Sequence, residues 1–360
     1  MRTDEETRAV DPELVDRFSQ RILRMLNDSA MMLMTSLGHR TGLFDTMAGM
    51  GWATPREIAL RAGLNERYVR EWLAAMVTGG FVELATETGA CRLPPEHAAV
   101  LTRAASPNNL AVEAQFIGVL AGVEDRIVDC FRSGGGVPYS AFRRFHEVMA
   151  EESAQTVVAG LHDHILPLVD GLADRLEAGI DVLDLGCGSG RALTELALAF
   201  PRSRFTGYDL CGEAVERARA LADAGGARNA RFDCRDVTRL DEERRYDLVT
   251  AFDAIHDQAD PAGVLSGIRT ALRPGGTFLM QDIRASSQLE RNLDHPLGPF
   301  LYTISCMHCM TVSLAQGGAG LGTCWGCERA MDMLRAAGFV DVCVHHLEHD
   351  IINCYYVARP

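Results

Sequence analysis

No apolar run in the 360 residues approaches the roughly 18 needed to cross a bilayer. No low-complexity tract, long charge block or internal repeat of about 20 to 50 residues is present either, which sets aside disordered tails and solenoids. Basic residues are in short supply: 35 Lys and Arg face 49 Asp and Glu, a formal net charge of −14. So acidic a chain lacks what binds a phosphate backbone, unless a local basic patch overrides the balance. The opening MRTDEETRAVDPELVDR has no apolar h-region and carries acids where signal and transit peptides avoid them. A cytoplasmic protein is expected, and the eleven cysteines then read as reduced thiols rather than a disulfide framework.

The composition that remains, 47% hydrophobic and 23% charged, is globular. At about 150 residues per domain, the length suggests two domains. From Ala53 the chain reads ATPREIALRAGLNERYVREWLAAMVTGGFVELATETGACRLP. Thr54 suits an N-cap with Pro55 at the first helical position, and Gly63 breaks that helix. A second helix from near Asn65 places Val69, Leu73 and Met76 on one face and stops at Gly79 and Gly80. Residues 81–85 and 91–93 then suggest two short strands around TETG. This order resembles a winged helix. The fold serves DNA binding through its second helix, or dimerisation and lid roles. Five arginines (Arg56, Arg61, Arg67, Arg70, Arg92) against five glutamates (Glu57, Glu66, Glu71, Glu83, Glu87) leave the module neutral, which favours the second use. The joining segment SGGGVPYSAFRRFHEVMAEES reads as a flexible turn followed by Tyr139, Phe142, Phe145 and Met149, groups able to cover a ligand or pack between domains.

The carboxy-terminal part carries a more specific pattern. Residues 180–185 form an apolar strand running into Gly186, Cys187, Gly188, Ser189 and Gly190, then the helical RALTELALAF. A glycine turn there lets a ligand approach backbone N–H groups at a helix start. Further strands are expected at 204–208, 230–232, 246–252 and 276–281 with helices between them, hence a parallel sheet covered on both faces with ligands at the strands' carboxyl ends. Asp209 closes the second strand, where a carboxylate can accept both hydrogen bonds of a ribose diol. Asp236 follows the third and can accept from an adenine amino group. A nicotinamide dinucleotide site shares the first two features, but the turn is G-x-G-x-G rather than G-x-G-x-x-G.

Together these motifs resemble the class I S-adenosylmethionine-dependent methyltransferases over roughly residues 150–360. DLGCGSG looks like their first motif, Asp209 like their ribose acid, and CRDV at Cys234 like their adenine-contacting turn. LRPGG at Leu272 looks like the turn before their fifth strand, and GFVDVCVHHLEHDIINCYYVAR like their antiparallel final strand pair. With the winged-helix-like front, the chain resembles the subgroup whose N-terminal domain dimerises and shapes the substrate cavity. The resemblance implies an α/β fold, a Rossmann-like seven-stranded sheet behind a mainly helical winged-helix domain. The expected domains are 1–110 for dimerisation or lid, 111–165 as helical connector and cavity cover, and 166–360 for S-adenosylmethionine. Asp184, Gly186, Cys187, Gly188, Gly190, Asp209, Leu210, Asp236, Val237 and Phe252 are the implied cofactor residues. The implied reaction methylates an O, N or S atom of a small molecule, in a homodimer with no nucleic-acid or membrane partner. The rivals are a DNA-binding regulator that senses S-adenosylmethionine and a zinc-stabilised interaction protein.

Methyl transfer from a sulfonium needs a base chiefly when the acceptor is protonated at neutral pH. His256, after the fourth strand, suits that role or merely packs near the cofactor; Asp253 and Asp282 are further catalytic candidates, or caps. Tyr139, His256, His308 and Trp325 are the expected substrate contacts. Finally, Cys306, Cys309, Cys324 and Cys327 form two C-x-x-C pairs fourteen residues apart. That is near zinc-ribbon spacing of about 15 to 20, so a zinc site, unligated cavity thiols and a thiolate cradle for a metalloid substrate all stand as readings.

Overall fold

Asp11 opens the first helix by accepting N–H bonds from Glu13 and Leu14, with Pro12 in the first turn. The structure, a computed structural model, describes residues 10–348 and 350–360. The chain divides into two compact units, Met1–Gly118 and Val119–Pro360. Of the segment 111–165, expected as a connector, all but its first residues therefore belong to the second unit.

In the first unit, α1 (Pro12–Thr41), α2 (Leu43–Ala48), α3 (Pro55–Ala62) and α4 (Glu66–Thr78) precede the hairpin β1 (Glu83–Ala85) and β2 (Ala90–Arg92), followed by α5 (Pro95–Leu101). Thr54 and Glu57 cap α3 reciprocally, and Asn65 caps α4. Two orphan donors at the start of α3 are thereby satisfied. Phe44, Ile58, Trp72, Leu73 and Met76 build the core, and Trp72 donates its indole N–H to the Met34 carbonyl at 2.8 Å. Gly38 is required there, since a Cβ would meet the Trp72 ring at 2.6 Å. On α4, Arg67 pairs with Glu71 and Arg70 with Glu66, so two arginines of the helix that would read DNA are already matched by acids.

The second unit is built on one sheet of seven strands: β3 (Asp181–Leu185), β4 (Arg204–Asp209), β5 (Ala230–Cys234), β6 (Tyr246–Phe252), β7 (Leu272–Ile283), β8 (Asp341–His345) and β9 (Asn353–Arg359). Their order is β5-β4-β3-β6-β7-β9-β8, parallel except for β9, which runs antiparallel to both neighbours. The order reverses between β3 and β6, and an open α/β sheet binds ligands outside the strand ends at such a point. Leu183, Val249 and Phe278 on one face and Val182, Leu248 and Leu279 on the other are fully buried, as strands covered on both faces require.

Two expectations are corrected here. LRPGG is not a turn ahead of the strand; it belongs to β7, where Leu272 pairs with Tyr246 and the register then shifts before Thr277 meets Leu248. The glycines of the joining segment do more than bend. Gly136 lies so close to the helix Met310–Ala315 that a Cβ would stand 2.0 Å from the Thr311 carbonyl oxygen, and the Val137 N–H donates to the Thr311 hydroxyl at 2.8 Å. Absence of a side chain is what lets this segment dock.

Candidate functional site

The first half of the site is backbone. Gly186, Gly188 and Gly190 all have positive φ, at 71°, 52° and 69°, a conformation only glycine adopts without strain. A Cβ on Gly190 would strike Phe232 and Ala218, and one on Gly186 would strike Ala254, whereas Gly188 borders open space. The carboxylate of Asp209 accepts N–H bonds from Gly188 and Cys211, both at 2.8 Å. It thus braces the loop while two of its roughly four lone-pair sites remain for a ligand. Asp184 is buried beneath the loop, accepts from the Thr250 hydroxyl at 2.7 Å, and has its carboxyl pushed up to about 7 by burial. Cys187 packs its sulfur toward Gly207.

Asp236 caps the short turn Val237–Arg239, taking the Thr238 N–H and hydroxyl on one oxygen. One of its two oxygens is thereby committed to the cap. Val237 is buried, Phe252 half-buried and Leu210 exposed. An open glycine backbone, a ribose-type carboxylate and apolar neighbours fit the adenosine half of S-adenosylmethionine.

The second half is made of side chains. After β6 the chain turns through Asp253 at φ 50° and delivers Ile255, His256 and Asp257. His256 is buried, and its Nδ1 lies 2.8 Å from Asp282 Oδ1. The same oxygen accepts from the Trp325 indole at 2.9 Å and the Ile283 N–H at 2.8 Å. Burial works against charge on His256, but the carboxylates of Asp282 and Asp257 outweigh it and raise its pKa well above the ordinary range. Its other nitrogen, Nε2, is 3.4 Å from Asp257 Oδ1. Asp253 is held by Gln281 at 2.9 Å, and burial, then Asp282, raise its carboxyl's pKa.

His308 closes the far wall. Its ring stacks on Phe145 with centroids 3.6 Å apart and meets Tyr139 and Phe142 edge-on. Burial depresses its pKa well below the usual value, so it is a neutral imidazole, and neither nitrogen has a hydrogen-bond partner. The Tyr139 phenol is raised by burial, then by Asp257 and Asp209, so it feels acids of both halves.

The structure does not gather the two C-x-x-C pairs. Cys306 and Cys309 sit in one continuous helical run, 298–315, which widens to a π-turn at Ser305–Cys309; a zinc knuckle needs a reversing turn there. Cys309 points to His256 and Asp257, and burial raises its thiol to about 12. Cys327, at the start of the helix Gly326–Ala336, faces Cys354 of β9 with the sulfurs 3.4 Å apart. That hydrogen bond draws its thiol down to about 7. The intervening loop is fixed, since the Ser313 hydroxyl donates to the Gln258 carbonyl and accepts from Gly320, while Ser305 accepts from Thr323. Trp325, expected to touch substrate, is buried and spends its N–H on Asp282. Sequence reasoning overlooked Asp257; its place beside His256 in FDAIHDQAD was a signal, but its partner Cys309 lies 52 positions on.

Residues 29–103 match the family model of the Rv2258c-like winged HTH domain, and residues 176–326 match that of a methyltransferase domain. Ubiquinone biosynthesis O-methyltransferase of Nitrosospira multiformis is 34% identical over 126 residues, 34% of this chain and 52% of that protein. The chain spans about half the length of this relative and of its Coxiella burnetii counterpart, which is 28% identical over 127 residues. Over nearly the whole chain the fold is similar to solved structures. Human N-acetylserotonin methyltransferase in complex with S-adenosylmethionine has a TM-score of 0.67 at 19% identity, covering 95% of this chain and 97% of that one. Mitomycin 7-O-methyltransferase MmcR has 0.68 at 15%, covering 97% and 100%. The architecture is that of class I methyltransferases with an N-terminal winged-helix domain.

Proposed function

We propose that this chain, a winged-helix domain joined to a class I methyltransferase domain, transfers a methyl group from S-adenosylmethionine to a heteroatom of a small molecule. The observation that carries the reading is the pairing of an open, Asp209-braced glycine loop with a buried His256–Asp282 dyad at the ends of adjacent parallel strands. S-adenosylmethionine supplies an already activated methyl group. Gly186, Gly188 and Gly190 admit it to the backbone, Asp209 takes its ribose, and Val237 and Phe252 flank its base.

The rest is positioning, which supplies much of the barrier reduction in a displacement of this kind. Asp282, fixed by Trp325 and the Ile283 N–H, holds Nδ1 of His256 and leaves Nε2 as the atom that meets the acceptor. Because the carboxylates keep the imidazole charged near neutral pH, Nε2 takes the acceptor's proton only after releasing its own, so turnover with a protonated acceptor rises with pH. Asp253 orients this turn through Gln281. Tyr139 and the neutral His308 offer the acceptor hydrogen-bonding groups inside an aromatic wall. The test is calorimetry with S-adenosylmethionine followed by turnover with a panel of phenols, thiols and amines. No cofactor binding, or binding unchanged by Asp209→Ala, would sink the reading.

A homodimer follows from the exposed face of α1, where Leu14, Val15, Phe18, Ile22, Met25 and Leu26 are about half or more accessible. A face so apolar calls for a partner. Sedimentation analysis should give twice the chain mass, with Phe18→Asp shifting it toward monomer. We infer a cytoplasmic setting, in which the thiols stay reduced; cell fractionation would check it.

A further inference from the structure

The acceptor side holds three buried or half-buried groups of different chemistry whose ligand atoms converge. A ring nitrogen of His256, a carboxylate oxygen of Asp257 and Sγ of Cys309 all lie within 4.8 Å of one another, and with Nδ1 spent on Asp282 the nitrogen available is Nε2. This set shares only Cys309 with the two C-x-x-C pairs, and it includes neither Cys306 nor Cys327.

Three features distinguish it from a chance cluster. The first is distance: two ligands each about 2.0 to 2.1 Å from a tetrahedral zinc ion stand about 3.3 Å apart, and His256 Nε2 is 3.4 Å from Asp257 Oδ1. At that separation Asp257 Oδ1 faces the imidazole as an ion-pair partner but is buried without a hydrogen bond. The second is outer support. A metal-bound histidine commonly donates its other ring N–H to a carboxylate that is itself hydrogen-bonded. His256 does so to Asp282, which Trp325 and the Ile283 N–H hold in turn. The third is the neighbouring wall, where both nitrogens of the fully buried His308 lack partners and Nδ1 lies 3.9 Å from Asp257 Oδ2. A native site seldom leaves so many buried polar atoms unmatched unless a group completes them.

We propose that His256 Nε2, Asp257 Oδ1 and Cys309 Sγ form a three-ligand site for a divalent ion of zinc type, with a fourth position open to the acceptor's hydroxyl or thiol. Three protein ligands and one open position is the catalytic zinc pattern, and the N, O and S donors suit a borderline ion better than Mg²⁺ or Ca²⁺. Its use in catalysis rests on the methyltransferase reading; its occupancy does not. With the ion bound, coordination acidifies the acceptor X–H, whose proton passes to solvent. The X–C bond then forms as the sulfonium S–C bond breaks, and that bond's electron pair stays on sulfur as a neutral thioether. Binding of the ion displaces the protons of His256 Nε2 and the Cys309 thiol to solvent, and His256 changes from proton acceptor to ligand.

The test needs neither S-adenosylmethionine nor an acceptor. Chelator-stripped full-length protein is titrated with Co²⁺ and its absorption recorded. The expected result is one Co²⁺ per chain, with a thiolate-to-cobalt band in the near ultraviolet and visible bands of a four-coordinate ion, all displaced by Zn²⁺. Cys309→Ser should lose the thiolate band, Cys306→Ser should keep it, and Asp257→Asn should weaken Co²⁺ binding by about tenfold or more. Melting curves show that each variant is folded; should Cys309→Ser fail to fold, Asp257→Asn and Cys306→Ser carry the decision. Absence of the thiolate band in the wild type, a band that survives Cys309→Ser, or Co²⁺ affinity unchanged by Asp257→Asn would overturn the site. Failure to bind S-adenosylmethionine would overturn the methyltransferase reading and leave this result standing.

Discussion

The two halves of the site are built in opposite ways. The cofactor half lies at the ends of β3, β4 and β5 and is made of backbone: three glycines at positive φ, with one carboxylate bracing the turn. The acceptor half is made of side chains from positions as far apart as Tyr139 and Trp325, and it holds several buried polar atoms without partners. The first needs only that the chain pass through a particular local conformation. The second exists only once the sheet and the helical insertion between β7 and β8 have packed. A general ligand such as an adenosine can be met by a local loop, whereas a specific acceptor is met by an assembled wall.

This contrast predicts different failures. His256→Ala should lower kcat by about 10²- to 10⁴-fold while calorimetry shows S-adenosylmethionine affinity close to wild type; loss of affinity in step with kcat would erase the division. Asp209→Ala should do the reverse, weakening cofactor binding by roughly 10- to 150-fold, since a hydrogen bond to a charged group contributes about 1.5 to 3 kcal/mol, with the Co²⁺ spectrum unaffected. Gly190→Ala places a Cβ against Phe232 and Ala218 at positive φ and should destabilise by about 1 to 3 kcal/mol, read by urea unfolding. If it instead folds with wild-type stability, the cradle is more pliant than its contacts indicate.

A further expected effect concerns pH. Asp184 holds its proton up to about 7 in the folded chain, while an unfolded aspartate releases it from about 3.9 upward. A raised carboxyl pKa disfavours folding increasingly across that window. Asp184→Asn keeps the acceptor for the Thr250 hydroxyl and removes the titration. Its melting temperature relative to wild type should therefore rise from pH 4 to pH 7 and level off above; a constant difference would mean that Asp184 is ionised throughout.

Much of the cofactor half was legible in the chain because its geometry is local. DLGCGSG and the acid nineteen residues after Gly190 lie within thirty residues of each other, and the alternation of strands with helices runs over about a hundred. Capping at Thr54 and a helix start near Asn65 were legible for the same reason. The extra length of β7 was not, because LRPGG reads as a turn until its pairing with β6 across a register shift is known. Two C-x-x-C pairs suggested one site because spacing carries no direction. In the fold, helical periodicity sends Cys309 toward His256, while Cys327 faces Cys354.

What the sequence by itself determined is the fold, the glycine turn and its carboxylate, and the neutral winged-helix module, since each follows from short-range backbone preference, hydrophobic period and charge count. What only the tertiary structure decided is which groups share the acceptor side: that Asp282 and Trp325 hold His256, that His308 is walled by Tyr139, Phe142 and Phe145, and that Asp257 and Cys309 face the same point. The physical reason is that these contacts join residues separated by 26 to 169 positions, and only packing of the insertion against the sheet fixes which side chain meets which.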